Sequence, residues 1–367
     1  MDPLRTVQTR APSAPGALVP LLGLDGPELA ALAEGLGLKP FQARELYRWL
    51  YARRQTDPTR WTTLPRAARE ALAAGTRTGV PELLGDQRSG DGTRKLLLGL
   101  ADGQAVEAVY IPDGARRTLC ISSQVGCAVG CTFCLTARMG FARNLTAGEI
   151  LGQVYAAEAR TDLGGRPYNV VFMGMGEPLL NRAAVEKALG LMQDPDGMAI
   201  SWRRITVSTS GLADALLEFA RSPVCPRLAL SLHAAKDELR GRLMPLNRAY
   251  PLPRLRQVLQ ELTHRERERV SLEYLLLGGV NDSDADARDV ARFARGLKVK
   301  ANLIHFNPAE GLPYRRSTEE RGRAFQEILV AEGVPTSIRR SRGLDILAAC
   351  GQLAKAGWRD PFPEAAP

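Results

Sequence analysis

The chain has 367 residues, of which 45% are apolar and 24% charged, and a formal net charge of +9 at pH 7. This length allows one large core and a small accessory domain, and the composition excludes a chain that is disordered overall. No apolar run approaches the roughly 18 residues of a membrane span, and no basic-then-apolar leader is visible, so we expect no membrane association. The six cysteines are clustered rather than spread as in a disulfide scaffold, which indicates a reducing cytoplasm.

The positive charge is carried mostly by arginine and is concentrated in short clusters. These clusters are Arg53-Arg54, Arg116-Arg117, Arg203-Arg204, Arg315-Arg316 and Arg339-Arg340 with Arg342. Such an excess favours a polyanionic partner, most plausibly a nucleic acid. A solvated basic surface that reflects an arginine-rich composition is the alternative, and charge alone does not separate RNA from DNA.

The first 90 residues are predicted to form a tail and a small helical domain. Residues 1–25 are rich in Pro, Ala and Gly and have no apolar period, which predicts a flexible tail. In residues 26–90, Leu29, Leu32 and Leu36 recur at helical spacing, and further amphipathic segments follow at 40–51 and 64–72. The basic, aromatic-dotted surface suits an accessory domain that binds RNA, although core packing explains the aromatic residues equally well.

Residues 91–115 are predicted to form a β-hairpin that links the helical domain to the rest of the chain. Its strands, 93–100 and 104–111, are joined by Ala-Asp-Gly, and the preceding residues 79–92 have the composition of turns. The second strand carries Glu107, which by itself is predicted to face outward from the strand.

Strands and helices alternate over residues 116–345. The predicted strands are 118–122, 169–173, 204–207, 227–230, 270–277, 299–305 and 335–340, and helical segments, including one over 252–265, lie between them. About six β/α repeats imply parallel strands with right-handed crossovers. The predicted fold is therefore α/β, a partial (βα)6 TIM-like barrel beside a small N-terminal all-α domain, and residues 346–367 are predicted to form a C-terminal segment.

Polar and glycine-rich signatures follow the carboxyl ends of five predicted strands, where barrel enzymes place their chemistry. They are a cysteine-rich loop after the first strand, Gly176-Glu177, Ser208, Ser231 with His233, and Asn307. Their coincidence predicts one shared site, although each has an ordinary explanation alone. His233 would then be a hydrogen-bonded structural histidine, and Asn307 part of a turn. The segment Gly174 to Gly176 lacks the third glycine of a dinucleotide-binding loop.

The cysteine-rich loop carries Cys127, Cys131 and Cys134 in a C-x3-C-x2-C spacing. A structural zinc site takes four protein ligands, and an iron–sulfur cubane bound only by protein also takes four. Three cysteines therefore predict a cubane with one iron that is open to a substrate or cofactor. A zinc ribbon or three buried structural thiols is the alternative, but no second Cys or His pair follows at zinc-finger spacing.

The cysteine spacing resembles the cluster loop of the radical S-adenosylmethionine (SAM) enzymes, in which the open iron binds SAM and an electron from the cluster cleaves it to a 5′-deoxyadenosyl radical. The whole chain resembles one radical SAM family, the dual-specificity methyltransferases that act on C2 of an adenosine in RNA. The segments that carry this resemblance are TLCISSQVGC (118–127), GFARNL (140–145), FMGMGEPLLN (172–181), STSG (208–211), SLHA (231–234), MPLN (244–247) and ACGQ (349–352).

The resemblance implies substrates, cofactors and partners. The substrates would be 23S rRNA, at adenine-2503 of the peptidyl-transferase centre, and tRNA, at adenine-37. The cofactors would be one 4Fe–4S cluster per chain, held by the three cysteines, and two SAM molecules consumed per turnover. SAM would contact Gly176, Glu177, Ser208, Ser231, Leu232, His233 and Asn307. The electron donor would be a protein such as flavodoxin or ferredoxin, and we expect a monomer because one chain carries both the cluster loop and the carrier cysteine described next.

The resemblance also implies three catalytic residues. Cys350 would take a methyl group from one SAM, and the radical from a second SAM would remove hydrogen from that S-methyl group. The methylene radical would add to the adenine ring, Glu107 would accept a proton, and Cys120 would attack Cys350 to release the methylated base as a disulfide forms. An aromatic C2–H carbon is not nucleophilic, so a radical is needed, and the cysteine carrier keeps the carbon near the base. The arginine cluster at 339–342 is expected to favour the Cys350 thiolate.

Two alternatives stay open at the level of sequence. A sister family methylates C8 of the same rRNA adenosine and confers antibiotic resistance, although the segment Pro-Leu-Leu-Asn (178–181) favours C2. A non-catalytic iron–sulfur or zinc protein that binds RNA is the other. Cys120 and Cys350 by themselves are typical of buried apolar cysteines, the role that we assign to Cys225.

Overall fold

The computed structural model describes residues 18–262 and 269–353. Residues 1–17 of the predicted tail, 263–265 of a predicted helix and 354–367 of the predicted C-terminal segment lie outside the described residues. The end of the predicted tail is packed against the protein. There β1 (Val19–Pro20) pairs in parallel with β2 (Thr76–Arg77), and the adjacent Leu21 and Leu22 are buried. Transfer of these two apolar side chains out of water lowers the free energy of the folded protein.

Helices form the N-terminal part of the chain. They are α1 (Gly26–Gly35), α2 (Pro40–Tyr47), which continues as a π-helix over Arg48–Ala52, and α3 (Arg66–Gly75). α1 begins at a capping box, in which the Asp25 side chain accepts from Glu28 N and the Glu28 carboxylate accepts from Asp25 N. The helices dock on the rest of the protein partly through Tyr155, whose hydroxyl donates to Leu50 O at 2.6 Å.

Three antiparallel strands lead from the helices into a large sheet: β3 (Glu82–Arg88), β4 (Arg94–Gly99) and β5 (Ala105–Asp113). β4 and β5 form the predicted hairpin, with Gly99 opposite Ala105. The turn composition of residues 79–92 did not predict β3. It forms because its main chain pairs along β4, with an irregularity between Leu83 and Gly85, and such pairing outweighs a weak intrinsic strand propensity.

Seven parallel strands complete the sheet within the described residues. β6 (Arg116–Cys120) leads into a small antiparallel hairpin of β7 (Gln124–Gly126) and β8 (Phe141–Asn144), and the later strands are β9 (Asn169–Phe172), β10 (Ile205–Thr209), β11 (Arg227–Ser231), β12 (Val270–Leu276), β13 (Val299–His305) and β14 (Thr336–Arg339). The strand order is β14-β13-β12-β11-β10-β9-β6-β5-β4-β3. The sheet therefore has two open edges, β14 and β3, and the predicted α/β partial barrel is confirmed.

Eight further α-helices follow along the described chain, most of them between the strands of this sheet. They are α4 (Leu135–Arg138), α5 (Ala147–Glu158), α6 (Arg182–Gln193), α7 (Ala213–Ala220), α8 (Asp237–Leu243), α9 (Leu252–Glu261), α10 (Asp284–Ala294) and α11 (Glu319–Ala331). Among the helices that the structure describes, none has the length and apolarity that a bilayer crossing requires.

Strand alternation separates an apolar outer face from a polar interior. On β10, Ile205 and Val207 are fully buried in the core, whereas Thr206 and Ser208 line interior cavities. Successive residues of a strand point to opposite faces, so the helices take up the apolar set and the interior is left for polar side chains. The barrel interior consequently contains cavities lined by polar side chains, whereas the apolar core lies outside the sheet.

The β7–β8 hairpin depends on glycine at one position. Gly126 has φ +75°, and a Cβ placed there would lie 1.9 Å from Gly140 O. Gly140 has φ +73°, with no atom within 4 Å of an added Cβ. The two glycines share the same backbone conformation but differ in the space around them.

Gly126→Ala is expected to destabilise the protein more than Gly140→Ala. Both substitutions incur the left-handed backbone cost of about 1–2 kcal/mol, and Gly126→Ala adds a steric overlap of about 1–3 kcal/mol. Chemical denaturation of the two purified variants measures the difference in the free energy of unfolding. Equal losses would show that the hairpin moves apart without cost.

Candidate active site

The cysteine loop lies between β7 and β8 and is held at its start and in its middle by main-chain hydrogen bonds. Cys127 N donates to Gly140 O at 2.8 Å, and Thr132 N donates to Leu243 O, at the end of α8, at 3.0 Å. The hairpin thus fixes the first cysteine, while α8 fixes the middle of the loop. Cys131 and Cys134 are partly buried against the apolar cluster that includes Leu243.

Burial raises the pKa values of all three loop thiols. The pKa of Cys127 rises to about 12, that of Cys131 rises well above the ordinary thiol value, and that of Cys134 is also raised; each thiol also feels at least one neighbouring thiol. A cationic centre that binds the sulfurs as thiolates would remove this cost. The loop is therefore suited to hold a positively charged centre.

The donor set fits an iron–sulfur cubane. Within residues 18–262 and 269–353, no three Cys, His, Asp or Glu side chains converge as ligands of a single metal ion. A cubane does not require this convergence, because the cysteines bind separate irons. Three thiolates on one short loop, beside a cavity, match that requirement.

A cavity of about 160 Å³ adjoins the cysteine loop. It collects most of the residues that the sequence predicted for the site, namely Cys127, Cys131, Cys134, Gly176, Glu177, Ser208, Ser231, His233 and Cys350. These residues come from the ends of different strands and from the C-terminal segment. The parallel register brings the strand ends to one edge of the sheet, with Val207 opposite Phe172 and Ser231 opposite Glu273.

Glu177 is a buried carboxylate that the main chain holds in place. Its Oε2 accepts from Ser210 N and Ser210 Oγ, both at 2.7 Å, and its Oε1 accepts from Leu179 N at 3.1 Å. Burial raises its pKa, and the Ser210 hydrogen bonds oppose the rise. Gly176 precedes it at φ +98°, where a Cβ would lie 2.5 Å from Gln124 Cβ, so only glycine fits here.

His233 is a neutral, oriented imidazole. Its Nδ1 accepts from Leu275 N at 3.0 Å, which leaves the ring proton on Nε2. Burial, with a contribution from the charge of Arg240, lowers its pKa to about 3. The ring meets Phe133 of the cysteine loop edge to face, with centroids 4.8 Å apart, and the residue has φ +56°. The histidine thus joins the β11 end to the cysteine loop.

Two predicted SAM contacts lie elsewhere. Leu232 lines neither cavity; its side chain is in the core, its N donates to Glu273 O and its carbonyl accepts from Arg240 Nε. Asn307 lines a second, larger cavity rather than the small one. Its Oδ1 accepts from Arg316 at 2.9 Å, and its buried Nδ2 has no hydrogen-bond partner among the described residues.

The second cavity, of about 1140 Å³, brings together two of the three cysteines that lie outside the loop. Cys120 and Cys350 both line it, and Cys350 also lines the small cavity. Burial raises the pKa of Cys120 to about 12, the Cys350 charge adds to the rise and Arg339 opposes it. The Cys350 charge in turn raises the pKa of buried Arg339. Cys350 is therefore placed at the junction of the two cavities with a cation beside it.

The larger cavity has a basic lining. Its cationic side chains are Arg116, Arg117, Arg166, Arg203, Arg204, Arg227, Lys300, Arg339, Arg340 and Arg342. Its acidic side chains are Asp113 and Glu273. Most of the cations lie at or before the first residues of the strands, so the cavity runs from the amino ends of the strands to the two cysteines.

Glu107 does not face solvent, contrary to the prediction from its strand alone. It is fully buried, and its Oε1 lies 3.4 Å from Nζ of Lys95, which is also fully buried. The reason is that both faces of β5 are covered, so that its first six residues, Ala105 to Tyr110, are all buried. Val109 is paired with Cys120, so Glu107, two residues before Val109, points to the same face as Cys120. Glu107 nevertheless lines neither cavity.

Comparison with known proteins agrees with this site. Residues 121–291 match the family described as the radical SAM superfamily, and residues 19–77 match the ribosomal RNA large subunit methyltransferase N-terminal domain. A dual-specificity RNA methyltransferase RlmN from Anaeromyxobacter dehalogenans is 46% identical over 353 residues, which cover 94% of this chain and 95% of that protein. One from Halorhodospira halophila is 48% identical over 339 residues, covering 91% and 93%.

The chain belongs to the RlmN family of dual-specificity RNA methyltransferases. A crystal structure of a radical SAM methyltransferase from Sphaerobacter thermophilus has the same fold, with a TM-score of 0.87, 43% identity and coverage of 91% of this chain and 99% of that chain. Membership of the RlmN family confirms the predicted enzyme class. It also implies a 4Fe–4S cluster and SAM as cofactors.

Sequence reasoning missed two buried cations in this RlmN-family site. Lys95 lies in a run of leucines on β4, and Arg240 lies on α8; both are fully buried. Lys95 could have been recognised, because a lysine in an apolar strand needs a partner. It lies opposite Val109 on β5, so it shares a face of the sheet with Glu107, two residues earlier. Arg240 looked like one of many surface arginines, and no local pattern marks it.

Lys95→Met is expected to lower the free energy of unfolding by about 3–5 kcal/mol, because Glu107 keeps a buried charge without its cation. The double variant Lys95→Met/Glu107→Leu is expected to lose less than either single variant, since no buried charge then remains. Chemical denaturation of the purified proteins measures both. Arg66→Met breaks the exposed Arg66–Glu70 pair and serves as the control, with an expected loss below about 1 kcal/mol. Additive losses in the double variant would show that the two charges act independently.

Proposed function

We propose that the chain methylates C2 of an adenosine in the peptidyl-transferase centre of 23S rRNA and in tRNA, with Cys350 as the methyl carrier. The observation that carries this proposal is the position of Cys350, which lines both the small cavity beside the cysteine loop and the larger basic cavity that holds Cys120. A carrier must reach the methyl donor on one side and the base on the other, and such a position serves both.

Cys127, Cys131 and Cys134 would hold the 4Fe–4S cluster. When bound, the cluster supplies the electron that cleaves SAM and an open iron that chelates it. Gly176, Glu177, Ser208, Ser231 and His233 would contact SAM, supported by their place around the small cavity. Of the other two predicted contacts, Leu232 has only main-chain groups near the site, and Asn307 would reach SAM from the larger cavity.

The chain's own residues would move the methyl group in two stages. The Cys350 thiolate, beside the Arg339 guanidinium, would take a methyl group from a first SAM. After a second SAM has been consumed and the resulting methylene has joined the base, the Cys120 thiolate would attack the Cys350 sulfur. Before this attack the radical adduct would lose the C2 proton and one electron, which the oxidised cluster would take back. The new S–S bond then forms as the C–S bond to the methylene carbon breaks, and the electron pair of that bond stays on the carbon, which takes up a proton to become the C2 methyl group. Glu107 would accept the proton from C2, supported by its position on the same face as Cys120.

RNA would approach through the larger cavity. The basic side chains at its rim can neutralise phosphates, and a target base must leave its stack to reach the cysteines. We further propose that the enzyme is a monomer of the cytoplasm and takes its electron from flavodoxin or ferredoxin. A reducing compartment suits both the cluster and the free thiols of Cys120 and Cys350.

Cys120→Ala is expected to leave RNA covalently attached to Cys350, because no thiol remains to release the methylene bridge. Denaturing gels of enzyme, SAM, a reductant and an rRNA fragment should show a nuclease-sensitive band that retains the protein. Cys350→Ala should form neither the adduct nor methylated RNA. Cys225→Ala should keep turnover, since Cys225 is buried and its thiol donates to Pro226 O.

Mass spectrometry separates the alternatives. Protein purified with an intact cluster should carry a methyl group on Cys350, and the RNA product should be 2-methyladenosine. An 8-methyladenosine product would reassign the chemistry to C8. Unchanged methylation of RNA by Cys350→Ala would rule out the carrier role. If the purified protein contains zinc and does not cleave SAM reductively, the chain would be an RNA-binding protein without this activity.

Arg203→Gln/Arg204→Gln is expected to weaken RNA binding, because both exposed arginines lie at the rim of the larger cavity. The slope of log affinity against log salt should become shallower by about 0.7 for each lost phosphate contact. Arg295→Gln, at the exposed end of α10 beside Glu332, is the matched control. Reductive SAM cleavage without RNA should stay unchanged in both proteins. An unaltered salt slope in the double variant would place the RNA elsewhere.

A further inference from the structure

Arg240 is a fully buried cation that is bonded to the main chain of two residues lining the small cavity, Ser210 and Ser231. Its Nη2 donates to Ser210 O at 2.7 Å and to Ser231 O at 3.0 Å, its Nε donates to Leu232 O at 3.1 Å, and its Nη1 donates to Asn247 Oδ1 at 2.8 Å. All four acceptors are neutral oxygens. These bonds tie the ends of β10 and β11 together. Among the described residues no carboxylate is hydrogen-bonded to the guanidinium, and Asp237 acts on it only through its charge.

The helix that carries Arg240 also supports the cysteine loop. Met244 N donates to Arg240 O at 2.7 Å, and Leu243 O accepts from Thr132 N in the middle of the loop. Cys131 and Cys134 pack against the apolar cluster that contains Leu243 and Met244. Arg240 is therefore linked to the cysteine loop through a single helical turn.

Arg240 keeps its charge at neutral pH. Burial lowers its pKa to about 10, and the Cys131 charge opposes the decrease. In return, the Arg240 charge opposes the rise in the pKa of Cys131 that burial causes. The ionisable groups outside the cysteines that line this cavity do not duplicate the cation. His233 is neutral, and Glu177 and Glu273 are acids whose pKa values burial raises.

We propose that Arg240 is a positioning residue whose fixed positive charge raises the reduction potential of the cluster bound at Cys127, Cys131 and Cys134. This rests on the proposed function only in requiring the cluster. Reduction adds one negative charge to the cluster, and a cation fixed nearby in a buried site of low dielectric stabilises the reduced form more than the oxidised form. The hydrogen bonds to the strand ends hold that cation in place, so it needs no reorganisation when the electron arrives.

The test is a reductive titration of the reconstituted 4Fe–4S protein without SAM or RNA. At a fixed applied potential, Arg240→Gln is expected to lower the ratio of reduced to oxidised cluster about tenfold, which for one electron corresponds to a midpoint about 59 mV more negative. Arg240→Lys keeps the charge and is expected to stay within a few-fold of the wild type. If Arg240 had only a structural role, both substitutions would lower stability, and the cluster potentials of the glutamine and lysine variants would not differ in this way.

Arg54→Gln is the matched control. Arg54 is another largely buried arginine; it pairs with Glu158 and donates to Met198 O, and none of these residues lines either cavity. Its loss should lower stability but leave the cluster potential unchanged. A shift as large as that of Arg240→Gln would show that general loosening, and not the Arg240 charge, sets the potential.

Each remaining outcome decides the proposal. Equal potentials for Arg240→Gln and the wild type would overturn it and leave the methyltransferase function intact. If Arg240→Gln does not retain the cluster, Arg240→Lys decides: retention at a near wild-type potential supports the charge, and loss as in the glutamine variant overturns it. A wild-type protein without a redox-active 4Fe–4S cluster would instead contradict the proposed function itself.

Discussion

The docking of the C-terminal segment onto the cysteine loop is the contact on which the site depends. Leu135 N, directly after the last cysteine of the loop, donates to Gly351 O at 2.8 Å, directly after Cys350. The chain just before this segment is also held, because Gly343 N donates to the Asp91 carboxylate at 2.9 Å. Two anchors far apart in sequence thus bring a distant cysteine beside the cluster loop. Without them, the two cavities would not share a sulfur.

Buried charge determines the chemistry that the interior can support. The Lys95–Glu107 pair lies on the same face of the sheet as Cys120. Arg339 lines the larger cavity with Cys120 and Cys350, and Arg240 is bonded to carbonyl oxygens at the ends of β10 and β11. Each cation is held by pairing or hydrogen bonds, since an unpaired charge in such a place would be costly. Apolar side chains are therefore buried on the outer face of the barrel, and charged side chains are held in its interior.

Under the proposed function, the two cavities would serve the cofactor and the RNA separately. The small one is bounded by thiols, glycine and short polar side chains, which let a cofactor approach the main chain closely. The larger one is lined by arginines and by Cys120 and Cys350, which suits a polyanion that places one of its bases beside the two cysteines. Met173, Glu273 and Ile304 line both cavities with Cys350, so the two spaces adjoin at the carrier sulfur.

The sequence by itself determined the cysteine spacing, the seven parallel strands and the polar strand ends, because these depend on local periodicity and on residues close together in the chain. It also determined the family, through motifs that are each short and contiguous. Only the tertiary structure decided that Glu107 is buried, that β3 pairs with β4 and that Asn307 lies in a different cavity from Ser231. These outcomes depend on which strands become neighbours and on what covers them. Arg240 is the clearest case, since the carbonyl oxygens of Ser210 and Ser231 meet it only when two strand ends and a helix have come together.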